Sequence, residues 1–447
     1  MWKNYLKISN FLRVKVILFV LLFYLFFGFK GAEALDFFEC YNKAKAYDPK
    51  YLSVYYEYRA SLTFPQQALA SLLPQVEFSY LRRNYRFITA PYYYTDYTAD
   101  TSAINLRQAI LNIPNIIEYK QNDIRSDMGE KKLNYATQEL IKRVADAYFE
   151  VLYYEEALRV IEEEKKAIFE QLKMIKKLFE AGEATLTDVH DVEARYSSIQ
   201  FRLIEAEKNL YTAKNNLRRI IGEEPIALAR LGEEVYFPEP KPSNIDEWIR
   251  IAKENNNMVK YYSLAKDIAE YEIKKQTFEN LPKIDFVAGY IKTNTLEYLK
   301  TASIDYYIFG IQINFNLFSG GYFIAKRREA IEKFEQAKKD YESVVSDVIQ
   351  EVFNNFFGIK TALAQIYAAK TSLRSAEIAL ESSKKGYKAG IRTVVDVLNA
   401  ESAVYKAKLD LVKAKYDYIK YLVGLKYYSG VLSEEDVRQI NSWLTRR

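Results

Sequence analysis

The sequence predicts an α+β protein that arose by internal duplication, in which each copy contributes long helices and a pair of strands. A nine-residue pattern, A-G-x-x-T-x-x-D-V, stands at Ala181–Val189 and again at Ala389–Val397, 208 residues later. Two segments of each copy alternate apolar and polar residues with period two, as strands with one apolar face do. Elsewhere apolar residues recur every three, four or seven positions, which indicates long packed helices.

The first 34 residues have the organisation of a secretory signal peptide. Basic residues precede the uninterrupted apolar run 16–27, and Ala32-Glu33-Ala34 supplies a cleavage site of the A-x-A type. A membrane anchor is the alternative, but the apolar run is shorter than the roughly 18 residues that a spanning helix needs. We therefore expect residues 1–34 to be removed and the protein to be exported.

The composition argues against several classes of function. The 447 residues include 64 Lys and Arg and 59 Asp and Glu, and without residues 1–34 these counts become 59 and 58. This near-neutral balance argues against a nucleic-acid partner. A single cysteine, Cys40, and a single histidine, His190, are too few for most zinc sites and catalytic triads. We expect Cys40 to be a buried free thiol, His190 to be solvated or packed, and the protein to be no enzyme and to use no cofactor.

The duplication sets the predicted domain boundaries. The first repeat covers residues 35–222 and the second covers 244–430, with a proline-rich linker at 223–243 and a C-terminal segment at 431–447. Matching residues stand 208 positions apart: Leu73 and Leu281, Pro74 and Pro282, Phe78 and Phe286, Glu193 and Glu401, and Gly222 and Gly430.

Each repeat is predicted to begin with one helix, over roughly 36–70 and 244–279, which a Leu-Pro pair ends. Two strands follow, within about 74–112 in the first repeat and 282–318 in the second. A Gly-Gly pair at 320–321 then turns the chain from strand into helix, without the spacing of a phosphate-binding loop.

The return strands are placed at Ile104–Ile110 and Ile311–Leu317 because these segments alternate apolar and polar residues. The loop before the first return strand is rich in tyrosine, and the second copy has Tyr306 and Tyr307. These tyrosines either form a girdle at a membrane interface or pack within the loops. The tyrosines of the first loop are Tyr92, Tyr93, Tyr94 and Tyr97.

The helical seam runs from Leu133 to Phe179 in the first repeat and from Val345 to Leu373 in the second. A helix over 117–179 would be on the order of 90 Å long at 1.5 Å per residue. An isolated seam of that length buries little apolar surface. We therefore expect helices to pack on helices within the chain and between chains.

Each A-G-x-x-T-x-x-D-V stretch is predicted to be a joint between two long helices, at about 181–188 and 389–396. Glycine can adopt the left-handed conformation that ends a helix. Threonine followed three residues later by aspartate is a start signal for the next helix.

No later segment is apolar and long enough for a spanning helix, so any membrane span of this chain must be a β-barrel. Four strands cannot close a barrel, since about eight are the minimum. Open strand edges in a bilayer leave backbone groups unpaired at several kcal/mol each. If the strands span a membrane, several chains must pool them, in a number that this argument leaves open.

These features resemble the TolC family of outer-membrane efflux channel proteins. The resemblance rests on the duplication, the two-strand insert in each half and the paired joints, and it covers nearly the whole mature chain. The most similar stretch is Tyr387–Leu411. Supporting stretches are Leu72–Gln75, Leu217–Gly222, Leu281–Pro282 and Phe318–Gly321.

The resemblance implies a trimeric 12-stranded outer-membrane β-barrel, with four strands per chain, continued by a long periplasmic α-helical coiled-coil barrel. The linker and the C-terminal segment would form an equatorial belt. The implied function is the passive outer-membrane exit duct of a tripartite efflux or type I secretion system, for small molecules or proteins. The implied partners are two further copies of the chain, outer-membrane lipid, a periplasmic adaptor and an inner-membrane pump.

By position in the motif, Tyr387 and Arg392 resemble the family's gating residues, with Thr187 and Asp188 as their partners on the other helix pair. An arginine can form two hydrogen bonds to a carboxylate, and a tyrosine can add one. From the residues alone, the favoured interpretation of Asp188 is an N-terminal helix cap, and that of Arg392 is an ordinary solvated turn residue.

Asp396 resembles the carboxylate that forms a ring at the pore constriction and favours cations. The alternative is that it only caps its helix. Asn399 stands where relatives have a second aspartate, which lowers the expected cation selectivity. The adaptor is expected to contact the tip turns at Gly182, Glu183, Gly390 and Ile391, and Glu183 replaces a residue that is usually apolar.

The main alternative to a channel is a purely periplasmic helical adaptor or scaffold, in which the strands form a soluble domain. Membrane conductance separates the two, because an adaptor would form no channel.

Overall fold

The computed structural model describes residues 34–88, 96–232, 234–294 and 303–445. The predicted signal peptide lies almost entirely outside the described residues, and so do Tyr92, Tyr93 and Tyr94. The described chain consists of long helices with one four-stranded sheet at one end and short elements packed around their middle.

The first repeat begins with three short helices, α1 (Phe37–Tyr47), α2 (Pro49–Ser61) and α3 (Phe64–Ala70). The prediction of one helix over 36–70 was therefore wrong. Asp48 ends α1 and caps α2 by accepting a hydrogen bond from the Tyr51 N–H at 2.7 Å. Pro49 and Pro65 stand in the first turns of α2 and α3, where a proline is tolerated because it needs no N–H partner.

The matching part of the second repeat is broken once, into α6 (Ile245–Asn255) and α7 (Asn257–Phe278). Here too the prediction of a single helix was wrong. Asn256 ends α6, and its side chain accepts hydrogen bonds from the N–H groups of Met258 and Val259. An asparagine at this position favours a new helix start over continuation of the old one.

The four long strands form one antiparallel sheet in the order β1-β2-β4-β5, so that β2 and β4 join the two repeats. The strands are β1 (Gln75–Tyr85), β2 (Tyr97–Leu111), β4 (Lys283–Thr293) and β5 (Ile304–Asn314). Four strands per chain were predicted, which is confirmed. The placement of the second return strand was partly wrong, because β5 ends at Asn314 and the last three predicted residues follow it. Tyr97 was predicted to lie in the loop, but it begins β2, and its ring stacks on that of Tyr85 with the centroids 4.8 Å apart.

The strand register confirms that one face of the sheet is apolar. Val76, Leu106 and Ala288 lie side by side across β1, β2 and β4. On the opposite face, Arg107 of β2 pairs with Asp285 of β4 at 2.6 Å. The apolar face comprises Val76, Phe78, Tyr80, Ile104, Leu106, Phe286, Ala288, Tyr290, Tyr307, Phe309, Ile311 and Ile313.

Four long helices form two hairpins. The first hairpin is α4 (Ile113–Glu180) with α5 (Leu186–Ile221), and the second hairpin is α8 (Tyr322–Lys388) with α9 (Val394–Tyr428). At 1.5 Å per residue α4 and α8 are each about 100 Å long. The two hairpins pack against each other mainly through α4 and α9.

The predicted helical seam is buried over most of its length, which confirms the heptad-like pattern. It fails at Phe179, which is 43% exposed at the far end of α4. The buried seam positions are Leu140, Val144, Ala147, Val151, Ile161, Ile168, Leu172 and Ile175 in α4, and Val352, Ile359 and Ile366 in α8.

The linker and the C-terminal segment pack together beside the middle of the helices. Strand β3 (Arg230–Leu231) pairs with β6 (Leu444–Thr445), and α10 (Glu434–Asn441) lies against α1. The Tyr148 hydroxyl of α4 donates to the Ala229 carbonyl at 2.8 Å. Cys40 is a buried free thiol, as predicted, and burial raises its pKa to about 12.

Within the described ranges, no helix combines the length and the hydropathy that crossing a bilayer requires.

Gly430, which follows α9, offers a test of how tightly the repeats are joined. Its φ is +72°, and a Cβ there would lie 2.5 Å from the backbone of Asn255. Gly390 has a similar φ of +74° with nothing within 4 Å. We predict that Gly390→Ala costs about 1–2 kcal/mol through left-handed strain, and that Gly430→Ala costs clearly more because the clash is added. Chemical unfolding followed by circular dichroism measures both, and equal losses would contradict the close contact.

Candidate functional site at the paired helix joints

The two joints end α4 and α8 with the same backbone arrangement. Gly182 and Gly390 have φ values of +77° and +74°. Each glycine N–H donates to the carbonyl three residues earlier at 3.0 Å, and the next N–H donates to the carbonyl five residues earlier, at 2.8 and 2.9 Å. This pattern satisfies the last carbonyls of a helix and needs a residue without a Cβ at the left-handed position. The predicted joints are confirmed.

The two helices that follow begin with identical capping boxes. The N–H groups of Thr185 and Thr393 donate to Asp188 and Asp396 at 2.9 Å. In return, the N–H groups of Asp188 and Asp396 donate to the threonine hydroxyls at 3.1 and 3.2 Å. The bonds that the N–H and the hydroxyl of Thr393 donate to the Asp396 carboxylate are the main causes that lower the pKa of Asp396. Both aspartates therefore act as helix caps, whatever further role they have.

Tyr387 lies at the contact between the hairpins. Its ring packs against an apolar cluster from α4, α5 and α9, and burial together with the Asp188 carboxylate raises the pKa of its hydroxyl. Within the described part of the chain, no hydrogen bond joins Tyr387 to Thr187 or Asp188. The structure thus brings Tyr387 close to one predicted partner without closing the bond.

Arg392 lies on its own hairpin. Its Nη1 is 3.8 Å from Asp396 Oδ1, and its Cγ covers Gly386, where a Cβ would lie 2.7 Å away. Among the described residues, no ion pair joins Arg392 to Asp188. The absence of a side chain at Gly386 gives Arg392 room to fold back along α8.

Asp396 and Asn399 share one side of α9. Both stand away from the seam that Val397 and Leu398 bury, so they are free to line a space on the other side of the helix. At the turns themselves, Glu183 is exposed and Ile391 is 80% exposed. An isoleucine that exposed is a candidate for contact with another protein.

Sequence reasoning missed a buried layer of charge between the hairpins. Glu164 of α4 is 1% exposed and Glu401 of α9 is 4% exposed. Arg202 Nη1 lies 3.0 Å from Glu164 Oε2, and Arg195 Nη2 lies 3.5 Å from Glu164 Oε1. Both glutamates occupy seam positions, since Glu164 follows Ile161 by three residues and precedes Ile168 by four. A Glu at an apolar position of the heptad pattern is the sequence signal that points to them, but only the packed helices show that they are buried.

Burial raises the pKa of both carboxyl groups. Arg202 and Arg195 oppose that rise at Glu164. Lys384, the Gln171 amide and Arg195 oppose it at Glu401, whereas the nearby Glu164 adds to it.

A cavity of about 440 Å³ lies between the hairpins next to this layer. The cavity lies on the side of the polar layer that faces the joints, and Tyr387 is one of its lining residues. Its walls are mostly apolar and include Met174, Ile175, Val192, Val394, Val397 and Glu401.

His190 is exposed, as expected, with Nδ1 3.3 Å from Glu193. In the described ranges, no group of three or more His, Cys, Asp or Glu side chains is arranged to hold a metal ion.

Comparisons with known proteins agree with this architecture. A family model described as outer membrane efflux protein matches residues 41–223 and 248–431. The outer membrane protein TolC of Vibrio cholerae is 30% identical over 91% of this chain and 93% of its own. The alkaline protease secretion protein AprF of Pseudomonas aeruginosa is 28% identical over 92% of this chain and 88% of its own.

Solved structures show the same fold at lower identity. The outer membrane protein VceC of Vibrio cholerae superposes with a TM-score of 0.77 and 16% identity, over 88% of this chain and 95% of its own. The Campylobacter jejuni CmeC outer membrane channel gives a TM-score of 0.79 and 16% identity, over 90% and 88%.

Proposed function

The chain belongs to the outer membrane efflux protein family, and from this premise we propose that three copies form a passive duct gated at the paired helix joints. The protein is an outer-membrane component of efflux or type I secretion, with a long periplasmic extension. The observation that carries the proposal is the combination, in one chain, of a sheet with an apolar face and two hairpins about 100 Å long.

The sheet supports the assembly. Along the apolar face, Ile284 to Tyr290 span about 20 Å at 3.3 Å per residue, close to the apolar band of about 25 Å in outer-membrane barrels. In the described chain β1 and β5 have no partner on their outer edges. Four strands are too few to close a barrel and eight are about the minimum, so several copies must pool their strands. The three copies that we propose would supply twelve.

The helices carry apolar side chains that nothing in one chain covers. On α5, Phe201, Ile204 and Tyr211 form a stripe at helical spacing, each at least 65% exposed. On α8, Tyr367 is 77% exposed. Contiguous exposed apolar surface of this kind marks interfaces, and neighbouring copies in a helical barrel would cover it.

The joints are the proposed contact for a periplasmic adaptor. Gly182, Glu183, Gly390 and Ile391 lie on the turns at the end farthest from the sheet, and Ile391 offers the apolar contact. An inner-membrane pump would supply the energy, because the duct that we propose is passive. The cargo is a small molecule or a protein, by analogy with relatives named for pyoverdine export and for protease secretion.

The first test asks whether the sheet spans a membrane. Purified protein is expected to cross-link as a trimer and to conduct ions across a planar bilayer. Phe309→Asp places a charge on the apolar face and should abolish insertion, since charges facing lipid are destabilising. Gln312→Asp places the same side chain on the opposite face and should insert normally. A folded protein without conductance would favour the periplasmic adaptor or scaffold.

The second test addresses the latch. We propose that Tyr387 and Arg392 hold the tip closed by bonding to Thr187 and Asp188, with Arg392 reaching those of the adjacent copy since it contacts neither in its own chain. Tyr387→Phe with Arg392→Ser should raise the conductance of the closed trimer severalfold. Tyr322→Phe with Arg327→Ser makes the same changes at the other end of α8 and should leave it unchanged. Unaltered conductance in the first variant would dispose of the latch.

The third test separates the two roles of Asp396. Asp396→Asn removes the charge that we place at the pore constriction and should lower the preference for cations. Thr393→Ala removes part of the same cap, at a cost of about 1 kcal/mol, while keeping the charge, and should leave selectivity intact. Since Asn399 adds no second ring of charge, the wild-type preference should itself be modest. Reversal potentials in a salt gradient measure each variant.

A further inference from the structure

A buried polar layer joins the two hairpins about 10 Å from the joint, measured along the seven residues of α9 from Val394 to Glu401 at 1.5 Å each. Within this layer, two hydrogen bonds between described residues cross from one hairpin to the other; farther from the joint, Lys408 and Tyr416 of α9 also donate to glutamates of α4. The Gln171 amide of α4 donates to Glu401 of α9, and the Arg195 guanidinium of α5 donates to the hydroxyl of Ser402. Any separation of the hairpins must break both.

We infer that Glu401, with Glu164 behind it, forms a proton-sensitive lock in which the closed tip holds protons that the open tip releases. The inference rests on the proposed function in one respect only, that opening of the tip separates the hairpins. It concerns carboxyl groups inside the protomer, apart from the latch of Tyr387 and Arg392 at the joints.

The charges around Glu401 come from all four long helices. Lys384 Nζ of α8 is 3.8 Å from its Oε1 and is half exposed. Arg195 of α5 and Glu164 of α4 act on it from the first hairpin. Tyr405, on the same helix, is near enough that Glu401 contributes, after burial, to raising the tyrosine's pKa. Lys384, the cation close to Glu401, is solvated, whereas the carboxylate of Glu164 is buried. The negative charge of an ionised Glu401 is therefore poorly compensated.

Glu164 is held by Arg202 and Arg195 and also faces Tyr405. One of its oxygens, Oε1, has no hydrogen-bond partner among the described residues. The same guanidinium of Arg195 thus serves the carboxylate of its own hairpin and the hydroxyl of the other. Glu164 is a positioning residue, because it fixes Arg195 for the bond to Ser402.

The direction of the pH effect follows from burial. In the closed state desolvation raises the pKa of Glu401 above its ordinary value of 4.5. When the hairpins separate, water reaches the carboxyl and its pKa returns toward that value. The closed state therefore binds protons more tightly. Closure is strongest below the ordinary pKa and weakens as pH rises through the raised pKa. Each unit of that rise changes the ratio of open to closed tips by about tenfold.

The experiment measures hairpin separation directly. Spin labels at Lys177→Cys and Ser382→Cys, both exposed, report the distance between α4 and α8 in the full-length trimer. From about pH 4 to pH 8, across the range in which a raised glutamate titrates, the open fraction should increase in the wild type. Glu401→Gln keeps the size and hydrogen-bonding capacity but cannot titrate. It should stay closed, with the pH response reduced at least severalfold.

Two variants serve as controls. Glu193 is the counterpart of Glu401 in the first repeat. Its side chain is 39% exposed and pairs with Lys176, so Glu193→Gln should retain the wild-type response. Gln171→Ala removes a crossing bond without changing charge. It should raise the open fraction at every pH, and this fraction should still increase with pH as in the wild type. A Glu401→Gln protein that is folded and still responds like the wild type overturns the inference.

Conductance recorded on the same samples separates this inference from the proposed function. If label distances follow pH as expected but no current passes, the lock stands and the duct does not. If the trimer conducts but Glu401→Gln and wild type respond alike, the duct stands and the lock is wrong.

Discussion

A bilayer cannot solvate the backbone at the edge of a sheet, and this constraint reaches every part of the molecule. The sheet of one chain has four strands, an apolar face and two edges without partners in the described structure. Each unpaired backbone group in lipid costs several kcal/mol. In the assembly that we propose, closure shared with other copies removes that cost and brings the helices of those copies together. Helices that continue from pooled strands would stand side by side around a common axis, and neighbouring copies would cover the exposed apolar stripe of α5 and Tyr367 of α8.

The helices end in a way that keeps the far tip well defined. Each hairpin turns back within five residues. A left-handed glycine ends the first helix, and a threonine with an aspartate three residues later begins the second. In this capping box the backbone N–H groups of both the threonine and the aspartate are hydrogen-bonded. Such a turn is stiff, so motion at the tip is easier between hairpins than within one. The contact between hairpins is correspondingly imperfect. It contains a cavity of about 440 Å³, a polar layer and a tyrosine that stops short of a bond to its neighbour.

Periodicity and duplication were enough to predict the strands, the long helices and both joints, because these depend on local spacing. They were not enough for the short helices, where Asp48 and Asn256 interrupt an apolar pattern that continues past them. Phe179 fits the seam by spacing but lies beyond the packed part of α4. The buried glutamates Glu164 and Glu401 were missed because a charged residue was expected to face solvent. A Glu in a charged helix looks like a solvated residue until the partner helix is known. The partners that we propose for Arg392 lie on a second chain, which no pattern within one chain specifies.

The duplication also allows the two hairpins to be compared position by position. Glu193 and Glu401 descend from the same position, and both follow an identical capping box. Glu193 faces solvent and pairs with Lys176 at 2.7 Å, an exposed ion pair of little energetic weight. Glu401 is buried, where an ionised carboxyl is costly unless it is well paired. The two copies thus carry one sequence motif in two dielectric environments. In the lock that we infer, the burial of a single carboxyl group separates a static hairpin from a responsive one, and burial is set by how the repeats pack on each other.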